Sequence, residues 1–121
     1  MRTIIIDDER LAREELKKLL KDYHEIEIID EAKNPDEAIE KIKALKPDLI
    51  FLDVQMPGMT GFDLLKKLDD IPKVVFVTAY DEFALKAFDV KALDYVLKPV
   101  DPARLEETMQ KLIQCFDIKG F

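Results

Sequence analysis

The chain has 121 residues, 48% hydrophobic and 37% charged, which is enough apolar content for one buried core, so we expect a single domain over residues 1–121. Its net charge of -7 repels phosphate backbones and anionic lipid, which argues against nucleic-acid or membrane binding by this chain alone. The single cysteine, Cys115, excludes an internal disulfide and a cysteine-based zinc site, and no apolar run is long enough for a signal peptide or membrane span, so we expect a cytoplasmic protein.

Five short runs rich in apolar and β-branched residues predict strands, and they lie at residues 3–6, 25–30, 49–52, 74–77 and 95–97. Four of these runs are continuously apolar or β-branched, which is typical of strands that helices cover on both faces. The second run differs, because the alternation Ile26-Glu27-Ile28 leaves one face polar. We therefore expect this strand at an edge of the sheet.

Helical patterns alternate with these strands. Apolar residues recur at helical spacing within residues 12–23, 38–45 and 105–116. The runs NPDE at 34–37 and TGFD at 60–63 predict capped helix starts, and Asp101-Pro102 places proline at a first helical position. Five strands alternating with five helices imply right-handed crossovers, so we expect an α/β fold with a doubly wound, five-stranded parallel sheet.

Polar side chains follow four of the five predicted strands. Asp7 and Asp8 come after the first strand, and Asp53 comes after the third. Thr78 and Lys98 stand at the ends of the fourth and fifth. In an open α/β sheet, ligands bind beyond the carboxyl ends of the strands, beside the point where the strand order reverses. With the order 2-1-3-4-5 the first and third strands are neighbours, so the three acids should converge there.

Three clustered carboxylates predict a bound cation. Each pair would repel by up to about 4 kcal/mol at 4 Å with an effective dielectric near 20. Lys98 offsets one charge and a divalent cation offsets two; few protein ligands with retained water suit Mg²⁺, whereas cages of six to eight oxygens suit Ca²⁺, so we expect Mg²⁺. These parts suit phosphoryl transfer, with Asp53 as nucleophile, Lys98 on the phosphoryl oxygens and Thr78 as hydrogen-bond donor.

From about residue 4 to residue 112, the sequence resembles the receiver domain of two-component response regulators. The matching motifs are the acid pair Asp7-Asp8, the phosphoacceptor Asp53 in DVQMPGMTG, the switch hydroxyl Thr78, the aromatic switch position Tyr95 and the lysine in Lys98-Pro99. The stretches 76–88 and 92–100 resemble the branch whose receivers are fused to LytTR-type DNA-binding domains. The resemblance implies a flavodoxin-like (βα)5 fold and a phosphoacceptor domain that catalyses only its own phosphorylation and dephosphorylation.

The resemblance also implies a set of ligands for the metal and the phosphoryl group. Mg²⁺ would be bound directly by Asp8, Asp53 and the backbone carbonyl of Gln55, and through water by Asp7. Lys98 would pair with the phosphoryl group on Asp53.

For signalling, the resemblance implies that Thr78 shifts to bond the phosphoryl group and that Tyr95 then turns inward. This would change the surface formed by the fourth helix, fifth strand and fifth helix, where we expect some combination of the apolar residues Ala84, Phe88, Val90 and Ala92 to be exposed. The partner would be a sensor histidine kinase, and a homodimer would form through the same surface. DNA would be bound only through an output domain that this chain lacks, with residues 115–121 as the start of a linker to it.

Two other classes of protein compete with this interpretation. A haloacid-dehalogenase-like phosphatase also uses a strand-end aspartate, Mg²⁺ and a lysine, but it needs a second aspartate two residues after the nucleophile as general acid. Gln55 stands there and cannot protonate a leaving group, so turnover chemistry is disfavoured. A receiver-like interaction module that is not phosphorylated usually loses an acid or the lysine, and this chain keeps all of them.

Overall fold

The computed structural model describes the backbone of residues 1–119 and the side chains of residues 1–116. Strands and helices alternate in the order β1 (Arg2–Ile6), α1 (Arg10–Leu20), β2 (Glu27–Ala32), α2 (Pro35–Leu45), β3 (Leu49–Leu52), α3 (Gly61–Lys66), β4 (Lys73–Thr78), α4 (Ala84–Asp89), β5 (Asp94–Leu97) and α5 (Pro102–Lys119). All neighbouring strands are parallel, and the sheet order is β2-β1-β3-β4-β5. The predicted doubly wound α/β fold, its strand order and the edge position of the second strand are confirmed.

Side chains of the sheet alternate between two cores, one on each face. One core contains Ile4, Ile6, Ile50, Leu52 and Phe76 together with residues of α2, α3 and α4. The other contains Ile5, Phe51, Val75, Val77 and Val96 together with residues of α1 and α5. Because both faces are buried, the central residues of these strands are apolar in succession, and the two-residue period is not visible in the sequence.

The strand register determines which residues leave the sheet side by side. It aligns the last residue of β1 with that of β3, so Asp7 and Asp53 both follow directly after an aligned pair. It likewise aligns Thr78, at the end of β4, with Leu97, at the end of β5. Lys98 follows, and its amide donates to the Thr78 carbonyl at 2.8 Å. The predicted site residues therefore emerge at one edge of the sheet.

The predicted helix starts are confirmed by their caps. The Asn34 side chain accepts a hydrogen bond from the Glu37 amide at 2.8 Å, and α2 begins with proline directly after it. Thr60 Oγ1 accepts from the Asp63 amide at 3.1 Å at the start of α3. These bonds satisfy amides that have no partner within the first helical turn.

The second strand begins and ends two residues later than predicted, because its acidic residues do not terminate it. The segment before it is held in a turn, with the Ile26 amide donating to the Tyr23 carbonyl at 3.1 Å. Asp30 and Glu31 continue the pairing with β1, and their carboxylates are neutralised by cations from the flanking helices. Paired charges of this kind are tolerated at a sheet edge, where the side chains stay partly exposed.

The predicted linker region at 115–121 lies partly within α5, which runs to Lys119. Gly120 and Phe121 lie outside the described residues, and the domain boundary stays a prediction. None of the helices in the described part of the chain is both long and apolar enough to cross a membrane.

Candidate functional site

An acidic loop follows β1 and leads into α1. Asp7 is buried, whereas Asp8 and Glu9 are exposed. The loop is fixed by its backbone, because the Asp7 amide donates to the Ala32 carbonyl at 3.1 Å and the Glu9 amide donates to Asp7 Oδ1 at 2.9 Å. Asp7 therefore points inward toward the end of β3, as the sequence predicted.

Lys98 brings the ends of β1, β3 and β5 together. Its Nζ lies 2.7 Å from Asp7 Oδ2 and 3.1 Å from Asp53 Oδ2. It also lies 3.7 Å from a carboxylate oxygen of Glu9. The other oxygen of Asp53 accepts a hydrogen bond from the Gln55 amide at 3.3 Å. The predicted convergence of the acids with the lysine is what the structure shows.

Burial and the neighbouring Lys98 ammonium act in opposite directions on the pKa of the Asp53 carboxyl. Desolvation raises the pKa of the Asp53 carboxyl and the neighbouring charge of Asp7 raises it further, while the Lys98 ammonium and the Thr78 hydroxyl act to lower it. The net result is a raised pKa. For Lys98 burial alone would lower the pKa, but the hydrogen bond to Asp7 and the charge of Asp53 outweigh it, so that pKa is also raised. The ammonium is therefore held in its charged form between the carboxylates.

Thr78 lies at the end of β4 with its side chain fully buried. Its Oγ1 accepts a hydrogen bond from the Tyr80 amide at 3.4 Å, so the hydroxyl is tied to the loop that leads to α4. The exposed Ala79 lies between them and lines a cleft of about 390 Å³ that also reaches Asp53 and Lys98. A hydroxyl held by its own loop can report a change at Asp53 to that loop.

Tyr95 contacts the same loop from β5. Its hydroxyl donates to the backbone carbonyl of Tyr80, and its ring packs against Phe76 with the centroids 6.2 Å apart. Tyr95 lies on the face of the sheet that packs against α3 and α4, while Val96 lies on the other face. The alternation along β5 therefore places Tyr95 beside the loop after Thr78.

The acidic loop and Asp53 together offer a set of oxygen donors that fits a small divalent cation. One carboxylate oxygen from each of Asp7, Asp8, Glu9 and Asp53 lies within 4.8 Å of all the others. The Asp8 carboxylate accepts no hydrogen bond within the described part of the chain, so it is free to bind a ligand. Hard oxygen donors, most of them at an open edge where water can complete the coordination, suit Mg²⁺. Glu9 is the member that the sequence interpretation left out, although the acidic run after β1 already contained it.

An apolar surface lies on α4 and β5, and we call Leu85, Phe88, Val90 and Leu97 the α4–β5 patch. Leu85 and Phe88 are 83% and 81% exposed, which is far beyond what a helix that only covers the sheet would leave in water. The expectation of exposed apolar residues within 84–92 agrees with this, except that Ala92 packs against the core. Leu85 and Leu97 enlarge the patch beyond the predicted residues.

A second ionic cluster joins β5 to α5, and sequence analysis missed it. Asp94 is nearly buried and accepts two hydrogen bonds from Arg104, at 2.7 and 3.0 Å, and one from Thr108 Oγ1 at 2.7 Å. Arg104 also donates to the Tyr95 carbonyl at 3.1 Å, so the same guanidinium group holds the backbone of Tyr95. In the sequence, Asp94 and Arg104 are not distinguished from ordinary surface charges. Only the packing of α5 shows that they face each other.

Known proteins resemble this chain in sequence over most of its length. A family model described as the response regulator receiver domain matches residues 3–110. A response regulatory protein of Vibrio cholerae is 54% identical over 113 residues, covering 92% of this chain and 48% of that protein. The sensory transduction protein LytT of Bacillus anthracis is 47% identical over 114 residues, covering 92% of this chain and 46% of that protein. The chain thus spans about half the length of the curated relatives it matches.

Solved structures show the same fold. The response regulatory domain of mrkE from Klebsiella pneumoniae is 33% identical with a TM-score of 0.87, covering 97% of this chain and 98% of that one. The REC domain of AraT from Geobacillus stearothermophilus is 32% identical with a TM-score of 0.87, covering 99% of this chain and 98% of that one.

Proposed function

The chain belongs to the response regulator receiver domain family, and from that premise we propose that Asp53 is its phosphoacceptor and that Mg²⁺ is required for the transfer. One observation carries the proposal. The Asp53 carboxylate is nearly buried at the centre of the site, 3.1 Å from Lys98 Nζ and beside the acids of the β1 loop. The relatives include the sensory transduction protein LytT and the transcriptional regulatory protein BtsR of Escherichia coli, whose names are those of signalling proteins.

The transfer itself needs little from the protein beyond position and charge. A carboxylate oxygen of Asp53 forms a bond to the phosphorus while the bond between the phosphorus and the donor nitrogen breaks. The donor nitrogen keeps the electron pair of the broken bond and leaves with a proton. Lys98 stays within reach of the new phosphoryl oxygens and offsets their charge, and the Thr78 hydroxyl donates to one of them. Gln55 offers an amide in place of a general acid, so the phosphoaspartate is a signal and not a turnover intermediate.

Asp8, Asp53 and the Gln55 carbonyl would hold Mg²⁺ directly, with Asp7 acting through water and Glu9 at the rim. The ion supplies positive charge that counters the repulsion between the acids and the incoming phosphoryl group.

The output of the domain would run through Tyr95 and the surface of α4, β5 and α5. Tyr95 contacts the loop after Thr78 and shares β5 with part of the α4–β5 patch. A shift of Thr78 toward the phosphoryl group would move that loop, and the patch would then bind a second copy of the domain. We further propose that the domain works in the cytoplasm, that a sensor histidine kinase is the donor and that DNA is bound only by an output domain outside this chain.

Intact mass spectrometry after incubation with phosphoramidate and Mg²⁺ tests the proposal directly. We expect one phosphoryl group on the parent protein and none on Asp53→Asn, while Asp70→Asn, which changes an exposed loop carboxylate, should label like the parent. Stoichiometric labelling of Asp53→Asn would refute the assignment.

A further inference from the structure

Arg13 joins the acidic loop to the edge strand, and nothing in the reaction described above uses it. It lies one turn into α1, and its side chain is only 11% exposed, which is low for a guanidinium group. Its Nη1 donates to the Asp7 carbonyl at 2.7 Å and its Nε donates to Glu31 Oε1 at 2.8 Å. A single planar group therefore makes two directed bonds to two different elements of the fold.

The Asp7 carbonyl belongs to the peptide that joins Asp7 to Asp8. A bond to this oxygen fixes the plane of that peptide and so the direction in which the Asp8 side chain leaves the backbone. The preceding peptide is fixed separately, because the Asp7 amide donates to the Ala32 carbonyl. The carboxylate of Asp8 has no hydrogen-bond partner of its own in the described part of the chain, so its position depends on the backbone.

Glu31 in turn holds Arg13 in place. One of its oxygens accepts from Arg13 and the other accepts from Lys17 Nζ at 2.8 Å. Arg13 and Lys17 are one helical turn apart, so both bind the Glu31 carboxylate from the same face of α1. The two cations lower the pKa of Glu31, with Lys17 the larger cause, and keep it ionised. Arg13 is therefore oriented by a carboxylate of the edge strand that is not a member of the acidic cluster.

We infer that Arg13, oriented by Glu31, is a positioning residue that sets the Asp7–Asp8 peptide for metal binding. The inference rests on the proposed function only in taking Asp8 as a metal ligand. Residues behind metal ligands commonly change metal affinity by about 10- to 100-fold when they are replaced. We expect the lower end of that range here, since Asp53 and its backbone contacts are untouched.

The test is a titration with Mg²⁺ alone, in which the amide chemical shifts of Asp8 and Gln55 are measured at each concentration. Arg13→Met, which keeps the apolar stem, should weaken Mg²⁺ binding about tenfold and shift the Asp8 amide even without metal. Glu31→Gln should weaken binding in the same direction but less, because the amide oxygen can still accept from Arg13. Lys41→Met is the matched control: Lys41 binds Asp30 and the Glu31 carbonyl at the same strand but does not touch Asp7.

A second measurement separates position from general loss of structure. The phosphorylation rate of Arg13→Met with phosphoramidate should fall at limiting Mg²⁺ and return to within about threefold of the parent rate at saturating Mg²⁺. Unchanged Mg²⁺ affinity in Arg13→Met, or an equal loss in Lys41→Met, would overturn the inference while leaving Asp53 as phosphoacceptor. If Arg13→Met fails to fold, Glu31→Gln decides. A parent protein that binds no Mg²⁺ would instead remove the metal site of the proposed function.

Discussion

The Asp53 carboxylate and the Lys98 ammonium lie 3.1 Å apart although 45 residues separate them in the chain. The same ammonium also pairs with Asp7 and lies near Glu9. Within the described residues, Lys98 is the one cation that forms ion pairs with the carboxylates of this cluster of four acids. The site is therefore under-neutralised, and the folded state holds repulsion that the unfolded chain does not. This imbalance is what a metal ion or the loss of one acid would relieve.

Replacing Asp8 by asparagine should stabilise the metal-free protein. Asp8→Asn removes one like charge from the cluster and breaks no hydrogen bond of the described chain, so we expect a rise in Tm of about 2–5 °C in the absence of Mg²⁺. Added Mg²⁺ should raise the Tm of the parent and do so much less for the variant. Thermal melts with and without the ion measure both effects. Asp70→Asn serves as control, and a clear loss of stability in Asp8→Asn would contradict the crowded-carboxylate picture.

Asp94 should make stability depend on acid pH. Burial alone would raise its pKa, but hydrogen bonds from Arg104, Thr108 and the Tyr95 amide outweigh it and lower the pKa from 3.8 to about 2. Because the folded pKa is depressed, this stabilisation is present above about pH 4 and is lost as the pH falls toward 2. A shift of this size corresponds to about 2 kcal/mol in the free energy of unfolding.

Urea melts of Asp94→Asn and the parent across pH 2–7 check this. The variant should be about 2 kcal/mol less stable at pH 7, and the two curves should approach each other as the pH falls from 4 to 2. A difference that does not change with pH would show that packing, and not the charge of Asp94, stabilises the junction of β5 and α5.

Gly61 should tolerate no side chain. A Cβ there would lie 2.6 Å from the backbone oxygen of Asp53 and 3.2 Å from Leu52 Cγ, so Gly61→Ala must displace the backbone of Asp53. We expect a loss of about 1–3 kcal/mol and slower labelling of Asp53 by phosphoramidate. Gly58→Ala is the matched comparison: it has a φ of +89° and no atom within 4 Å of the added carbon. It should lose about 1 kcal/mol to backbone strain and label at the parent rate, and equal labelling of both variants would refute the close-approach argument.

Tyr95 should matter for association and not for labelling. Tyr95→Ala removes the bond to the Tyr80 carbonyl and the contact with Phe76 but touches none of the acids. Labelling of Asp53 should stay near the parent rate. Self-association in the presence of beryllofluoride, which mimics the phosphoryl group, should weaken, and light scattering measures it. Phe88→Ser, in the α4–β5 patch, should weaken it as well without a change at Tyr95. If beryllofluoride changes neither the NMR signals of the tyrosine in the parent protein nor the molecular mass of its assembly in light scattering, the switch does not operate in this domain.

The sequence by itself determined the fold class and most side chains of the central site, while the strand order came with the resemblance to the receiver domain. It could do so because parallel strands covered on both faces require continuous apolar runs, and because polar residues at the strand ends have to share one edge of the sheet. Asn34 and Thr60 marked helix starts for a similarly local reason, since a cap is bonded within its own first turn.

The tertiary structure alone decided which charges meet. Arg13 with Glu31, and Arg104 with Asp94, are pairs of ordinary surface residue types, and their contact depends on how a helix packs on its strand. The second strand extends past Asp30 through Glu31 to Ala32 for the same reason, because cations on α1 and α2 neutralise the two acids. The exposure of Leu85 likewise follows from how the short α4 packs on the sheet through Ala87, which no local pattern encodes. Local rules determine strands and caps, whereas long-range pairing and exposure are set by packing.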